Sequence, residues 1–372
     1  MKLTIERGAL LRSLAHVQSV VERRNTIPIL SNILIEGDKG GLSMTATDMD
    51  LTIVERAEAA IGKSGATTVP AHTLYDIVRK LPEGAQVEFD GAADAGQLGL
   101  KAGRARFSLA TLPREDFPSA SVGDLPHRFQ IAAADMRELI DSTRFAISTE
   151  ETRYYLNGIY LHAHTADRKK TLRAVATDGH RLARVELGLP QGAAEMPGII
   201  VPRKAVAELR KLIEEVDGAI EVSLSDTRIS FAFANVLMTS KLIDGTFPDY
   251  QRVIPTGNDK MLKVDRKSFM TAVDLVATIS SEKSRAVKLA LKPGHLTLTA
   301  SSPENGTATE ELEVDYDGQA IDIGFNSRYL LDIVQQIGGD NAEIALADAA
   351  SPTLLRDPAN GNALYVLMPM RV

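Results

Sequence analysis

The sequence predicts an α+β chain in which one unit of two helices packed on antiparallel strands is written three times, and repeated segments carry that expectation. Thr26–Ile35 (TIPILSNILI) aligns without a gap on Thr152–Leu161 (TRYYLNGIYL), 126 positions later. Ser43–Asp50 (SMTATDMD), Arg173–His180 (RAVATDGH) and Leu296–Pro303 (LTLTASSP) take matching places. So do Thr68–Leu81 (TVPAHTLYDIVRKL), Ile200–Ile213 (IVPRKAVAELRKLI) and Gly324–Ile337 (GFNSRYLLDIVQQI). Ser108–Ser119 (SLATLPREDFPS) answers Thr239–Tyr250 (TSKLIDGTFPDY). A repeat of about 125 residues is near the size of an ordinary domain. Large repeats in series build a curved or closed object, so function is expected in its shape and seams.

Each unit reads as strand, amphipathic helix, strands, then the same again. Leu10, Leu11, Leu14, Val17 and Val21 recur at helical spacing after a strand at Leu3–Glu6. A second helix is expected over Ala71–Leu81, stopped by Pro82 and Gly84. Alternating strands are expected at Ile33–Glu36, Leu42–Ala46, Val87–Phe89 and Arg106–Leu109. The later units give helices near Ala133–Ile147, Pro202–Val216, Asp265–Ile279 and Ser327–Ile337, with Pro202 in a first-turn position. Turn-rich stretches at Ser119–Pro126 and Pro248–Asp259 divide the chain into domains 1–122, 127–250 and 258–372.

Composition removes several function classes. Hydrophobic residues make up 44% of the 372, and no apolar run approaches the roughly 20 needed to span a bilayer. The opening MKLTIERGALLRSL lacks a signal peptide's apolar block. There is no cysteine, which excludes disulfides, thiolate catalysis and Cys-based zinc sites and fits a cytoplasmic location. The formal charge of −7 argues weakly against nucleic acid, but backbone binding needs only one basic surface. The helices are basic for so acidic a chain: Arg7, Arg12, Arg23 and Arg24 belong to or flank the first, Arg79 and Lys80 the second, Arg137 and Arg144 the third. Arg203, Lys204, Arg210 and Lys211 lie on the fourth, Arg266 and Lys267 on the fifth, Arg328 on the sixth. Solvated faces of mixed charge would give this pattern, and so would a shared face that follows phosphates.

Four segments then carry a resemblance. Arg153–His162 (RYYLNGIYLH), Val175–Ala183 (VATDGHRLA), Thr239–Pro255 (TSKLIDGTFPDYQRVIP) and Tyr365–Val372 (YVLMPMRV) resemble the bacterial DNA polymerase III beta subunits, the sliding clamps, and the likeness runs the whole chain. The resemblance implies three DNA-clamp domains forming half of a closed ring. Two head-to-tail copies make the homodimer, which encircles duplex DNA without reading sequence and tethers DNA polymerase III. It implies an ATP-driven clamp loader, other polymerases and repair proteins as partners, no catalytic residues, no cofactor and no metal.

Site residues follow from the same resemblance. A pocket between the second and third units, binding short Leu/Phe-containing peptides, would use Leu156, Thr177, Gly179, His180, Arg181, Leu182, Pro248, Arg252, Val253, Tyr329, Val366, Met368, Pro369, Met370 and Arg371, with Ala350 at its border. Leu, Val and Met supply adaptable apolar walls, which suits a groove reused by many partners. DNA contacts would fall on Arg24, Arg153, Tyr154, Tyr155, Arg203 and Lys204, although the tyrosines fit packing equally well. Phe107 and Leu109 would meet Thr278 and Ile279 at the dimer interface. Thr278, Gly306, Ala350 and Pro352 depart from the family pattern.

Two other classes compete. Asp178 and His180 have the composition of an acid/base pair, but two residues apart on a turn does not orient one on the other. Asp48-Met49-Asp50 at the same place in the first unit points to a structural turn instead. His162 and His164 could share one side of a strand, yet they lack a third metal ligand. A protein-binding repeat scaffold is the remaining class, and it has no need to place Arg24, Arg153, Arg203 and Lys204 on one side.

Overall fold

The three sequence units fold with the same element order, apart from one additional strand between the two helices of the first. The computed structural model describes residues 1–91, 96–119, 123–280 and 285–371, so the expected domain ends at Val122 and Val372 lie outside the described residues. The first unit runs β1 (Lys2–Glu6), α1 (Arg7–Val17), β2 (Asn32–Asp38), β3 (Gly41–Thr47), β4 (Leu51–Ala57), β5 (Ala60–Lys63), β6 (Gly65–Pro70), α2 (Ala71–Lys80), β7 (Gln86–Asp90), β8 (Gln97–Ala102) and β9 (Ala105–Ala110). The second runs β10 (His127–Ala132), α3 (Ala133–Asp141), β11 (Gly158–Ala166), β12 (Lys169–Thr177), β13 (Arg181–Gly188), β14 (Ile199–Pro202), α4 (Arg203–Leu212), β15 (Ala219–Leu224), β16 (Arg228–Phe233) and β17 (Val236–Lys241). The third runs β18 (Lys260–Asp265), α5 (Arg266–Ala277), β19 (Ala286–Lys292), β20 (His295–Ser302), β21 (Gly306–Glu313), β22 (Ile321–Asn326), α6 (Ser327–Val334), β23 (Asn341–Leu346), β24 (Thr353–Asp357) and β25 (Asn360–Leu367).

Local chemistry sets the helix ends. Glu6 caps α1 by accepting from the Ala9 amide at 2.9 Å, and Asp265 caps α5 by accepting from Ser268 at 2.8 Å. Asn326 accepts from the amides of Arg328 and Tyr329 to cap α6. Pro202 closes β14, and α4 begins one residue later than expected. The third helix is shorter than its sequence period suggested, ending at Asp141 and continuing only as a 3-10 turn over Arg144–Ala146. Thr143 is the physical reason: its hydroxyl donates to the Leu139 carbonyl at 2.5 Å and competes with helix propagation. The first helix likewise stops at Val17, and tighter turns carry the buried Val20 and Val21.

The chain divides into two compact units. One comprises Met1–Ala134, Pro190–Pro197 and Lys204–Leu242, the other Asp135–Leu189, Gly198–Arg203 and Ile243–Val372. The first holds sheets ordered β5-β1-β7-β8-β9 and β10-β15-β16-β17-β4-β3-β2-β6. The second holds β14-β11-β12-β13-β25-β24-β23-β18 and β21-β20-β19-β22. Each eight-stranded sheet therefore joins strands of two sequence repeats across one seam: β17 against β4 in the first unit, β25 against β13 in the second.

The two seams share one register. Thr239 faces Thr52 and Val366 faces Leu182, and these residues occupy the same repeat positions. Met238 and Tyr365, again equivalent, are 0% and 1% exposed. Helix contacts reinforce the first seam. Ser19, just beyond α1, places Oγ 2.6 Å from Glu208 Oε2 on α4, and Lys211 donates to Glu208 Oε1 at 2.8 Å. Nearby, His16 Nδ1 lies 2.7 Å from Glu55 Oε2.

The buried Glu208 is satisfied by both partners. Glu208→Ala leaves the Ser19 hydroxyl and Lys211 ammonium without their shared acceptor. We expect a loss of about 1–3 kcal/mol, read as a lower urea midpoint; an unchanged midpoint would show the contact to be energetically idle.

Candidate functional site

The predicted groove residues converge in the second compact unit. β13 and β25 pair from Arg181 opposite Leu367 to Val185 opposite Ala363, which sets Leu182 beside Val366. These two are 2% and 1% exposed, and with the buried Leu156 they form an apolar floor that also includes Val175, Phe247 and Tyr250. Beyond β25 the chain is held by main-chain bonds: Met368 donates to the His180 carbonyl at 2.9 Å and Met370 to the Gly324 carbonyl at 2.8 Å. Met368 and Val253 remain 41% and 48% exposed, unusual for apolar side chains beside a finished core. Arg252 pairs with Asp249 at 2.8 Å while staying open to solvent.

The Asp-Gly-His run is a turn and not a catalytic pair. Asp178 Oδ1 accepts from the amides of His180 and Arg181 at 2.9 and 3.0 Å, and Oδ2 accepts from Arg181 Nε at 3.1 Å. Thr177 Oγ1 accepts from the Gly179 amide at 3.1 Å and lies 2.7 Å from the Arg181 carbonyl. Gly179 has φ +89°, which glycine adopts freely, and a side chain there would run into the Arg153 guanidinium. The first repeat builds the same turn from Thr47, Asp48 and Met49. There Met49 takes φ 79° despite its side chain, and it is 52% exposed.

Arg181 is the structural pivot of the groove. Its guanidinium also donates to Asp332 Oδ2 at 2.5 Å and to the Phe145 carbonyl at 2.7 Å. It lies 4.3 Å from the centroid of the Tyr329 ring and 5.1 Å from that of Phe145. His180 stacks on the other partner of this arrangement, Tyr329, at 6.1 Å. Arg181 therefore orients His180 and Tyr329 instead of offering free charge to a ligand. Of the residues that hold it, Phe145 and Asp332 were not expected from sequence, and Asp178 was weighed only as half of an acid/base pair. One signal did exist: Asp332, Glu208 and Asp76 stand at the same place in the three second helices.

A second overlooked support lies under the wall at Pro248–Val253. Tyr250 is 5% exposed, and its hydroxyl is 3.0 Å from His162 Nε2 and 3.2 Å from an Arg173 donor. Arg173 is tied to Glu186 at 2.7 Å. Burial pulls the His162 pKa down, favouring the neutral ring that bonds Tyr250. Both nitrogens of His162 are engaged, Nδ1 with the Ala163 carbonyl. Among the described residues no three His, Cys, Asp or Glu side chains are grouped to hold a metal. At the far border, Asn258 donates to the carbonyls of Ala345 and Pro352, while the exposed Ala350 sits in a turn held by Asp348.

The other predicted surfaces differ in available charge. Arg24 and Arg203 are exposed, and neither forms a side-chain hydrogen bond or ion pair among the described residues. Arg153 is clamped on Glu150 through two bonds of 2.9 and 2.6 Å. Lys204 contacts Asp48 and Glu22, which raise its pKa despite opposing burial. Tyr154 is 53% exposed, whereas Tyr155 packs on the groove core. Phe107 is 37% exposed on β9, with Leu109 buried on the same side; Thr278 is exposed and Ile279 half-buried at the end of α5.

Comparison with known proteins decides the family. Profiles of the N-terminal, central and C-terminal domains of the DNA polymerase III beta subunit match residues 1–121, 130–249 and 251–371. The chain belongs to the DNA polymerase III beta subunit family. It is 55% identical to the beta sliding clamp of Caulobacter vibrioides over 372 residues, all of both chains. A solved C. crescentus beta sliding clamp superposes with TM-score 0.98 at 55% identity, covering 100% of this chain and 99% of that one. A Bartonella birtlesii sliding clamp solved bound to griselimycin gives 0.97 at 50% identity, with both chains fully covered. As a member of that family it is a DNA polymerase processivity factor and not an enzyme. No helix among the described residues is long and apolar enough to cross a membrane.

Proposed function

We propose that two copies of this chain close head to tail around duplex DNA in the cytoplasm, and that β9 of one copy pairs with β21 of the other. The observation that carries this reading is the shared register of the two internal seams. β17 and β25 are the last strands of the second and third repeats, and β4 and β13 are their partners from the first and second. The leftover equivalents are β9 and β21, each on the edge of its sheet. Continuing the register sets Phe107 opposite Ala308 and Leu109 opposite Gly306. Phe107 is the counterpart of the fully buried Met238 and Tyr365, so its exposure marks an unfinished seam. Charge agrees: β9 and its turn carry Arg104 and Arg106, whereas β21 carries Glu310, Glu311 and Glu313. Gly306 then serves as a small residue beneath Leu109. A head-to-tail contact closes only if the rotation completes, which three like domains per copy allow.

The groove over Leu182 and Val366 is the docking site for short Leu/Phe-containing segments of polymerases, repair proteins and the ATP-driven clamp loader. Its exposed Met368 and Val253, beside Met370, give adaptable apolar contact, and His180, Arg252 and Arg371 give a polar rim. Arg24 and Arg203 meet phosphates, Arg153 and Lys204 contribute residual charge, and Tyr154 is open to the same surface chemistry. Contacts to phosphates alone carry no sequence information, so enclosure and not affinity holds the clamp on DNA.

Retention after loading tests the reading: the clamp should stay on circular DNA and leave linear DNA, and equal loss from both would defeat it. Replacing Arg24 and Arg203 by Gln should lower the salt slope of DNA binding by about 1 each, with a smaller change for Lys204→Gln. Met368→Lys with Met370→Lys should weaken partner-peptide binding by about 100-fold in calorimetry while sedimentation still reports a dimer. Phe107→Asp should shift the dimer to monomer in sedimentation, with helix content retained by circular dichroism.

A further inference from the structure

The second helix of every repeat carries an acid at its sixth residue: Asp76 on α2, Glu208 on α4 and Asp332 on α6. The segment just past each first helix supplies an equivalent position, occupied by Ser19, Phe145 and Thr278. The equivalence holds in the burial pattern of the helices: Leu10, Ser13, Leu14 and Val17 of the first repeat match Phe269, Ala272, Val273 and Val276 of the third, while Ile279, at the place of the buried Val20, is half-buried. Within the chain these two positions meet at each seam. Ser19 shares its hydroxyl proton between the His16 carbonyl at 2.7 Å and the Glu208 carboxylate at 2.6 Å. In the second seam Arg181 bridges the pair, reaching Asp332 at 2.5 Å and the Phe145 carbonyl at 2.7 Å.

The third occurrence is left open. On α4 the face formed by Ala205, Glu208 and Leu212 is buried. The same face of α2 presents Thr73, Asp76 and Lys80, with Thr73 and Lys80 exposed and the Asp76 side chain 51% accessible. α2 even repeats the intrahelical pair of α4. Arg79 donates to Asp76 Oδ1 at 3.1 Å, as Lys211 does to Glu208 Oε1 at 2.8 Å, and Asp76 Oδ2 has no hydrogen-bond partner among the described residues. Thr278 is exposed, and among the described residues its hydroxyl has only the Asp274 carbonyl, at 3.3 Å.

We propose that the Thr278 hydroxyl donates to Asp76 Oδ2 of a second copy, reproducing the Ser19–Glu208 contact across the subunit boundary; this rests on the β9–β21 reading above. A carboxylate closed against an apolar side chain would lose hydration without compensation. A threonine instead supplies a proton to the carboxylate and keeps a methyl for the apolar contact made by Ile279. The polar residue at 278 thus matches the acid on α2, and the pair sets which surfaces accept each other.

A double-mutant cycle on the full-length dimer tests the pair, with Kd read by sedimentation velocity and subunit exchange. Thr278→Val and Asp76→Asn should each raise the dimer Kd by about tenfold, the size expected for a hydrogen bond to a charged group. The double variant should stay within about threefold of the weaker single. Asp76→Asn also weakens the Arg79 pair, but equally in monomer and dimer, so that loss leaves Kd unchanged. Independent multiplication of the two effects, or an unchanged Kd for Thr278→Val, would overturn the contact. Phe107→Asp separates the failures. If it dissociates the dimer while the cycle shows no coupling, only the Thr278–Asp76 pair is wrong. If the dimer survives Phe107→Asp, the β9–β21 reading itself falls.

Discussion

Main-chain pairing across repeat boundaries is the constraint on which the rest of this molecule depends. β4 bonds to β17, and β13 bonds to β25, so the sheet ladder does not stop where a sequence repeat stops. An exposed ladder edge would carry unsatisfied amides and carbonyls and invite any other strand. Joining edges between repeats removes that hazard at the two internal seams and fixes the joined repeats in one register. The register in turn decides which side chains meet: a slip of one residue would turn Leu182 and Val366 away from their shared face.

The candidate groove is a by-product of that pairing. Its floor comes from residues 182 and 366, far apart in sequence and adjacent only because β13 and β25 share a ladder. The Asp178 turn at one end of β13 and the Met368–Met370 segment after β25 follow from the same junction. Arg181 then locks the local geometry with three donors on three acceptors, and its stacking on Tyr329 gives the groove a rigid side. The first seam has the same turn but not the same groove. There Lys241 pairs with Asp50 at 2.9 Å, placing an ion pair where the second seam places Met368 and His180, and Lys204 adds a second pair with Asp48. Repetition supplies the frame, and divergence at a few positions leaves apolar side chains exposed at the second seam.

Charge is likewise divided by local pairing more than by composition. The basic helices stood out in the sequence, yet Arg7 donates to the Val78 and Arg79 carbonyls, Lys211 serves Glu208, and Arg266 serves Gly339. These cations secure the fold. Arg24 and Arg203 remain as exposed charge, together with Arg12, Arg23, Lys80, Lys267 and Arg328, so fewer cations are available to a ligand than the count of Lys and Arg suggests.

The sequence by itself determined the threefold repeat, the two helices and many strands of each unit, and the family, because periodic apolar residues and long ordered motifs are local signals. It also displayed the floor residues Leu156, Leu182 and Val366. It misjudged where the third helix ends, since the Thr143 hydroxyl bond to Leu139 opposes a periodicity that continues to Ile147. Only the tertiary structure decided which edges pair, that Arg181 is a buried brace, and that Tyr250 is pinned by His162 and Arg173. The physical reason is common to all three: a hydrogen bond between residues 36 to 186 positions apart leaves no periodic trace in the chain, and which donor meets which acceptor is settled only when the ladders are in register.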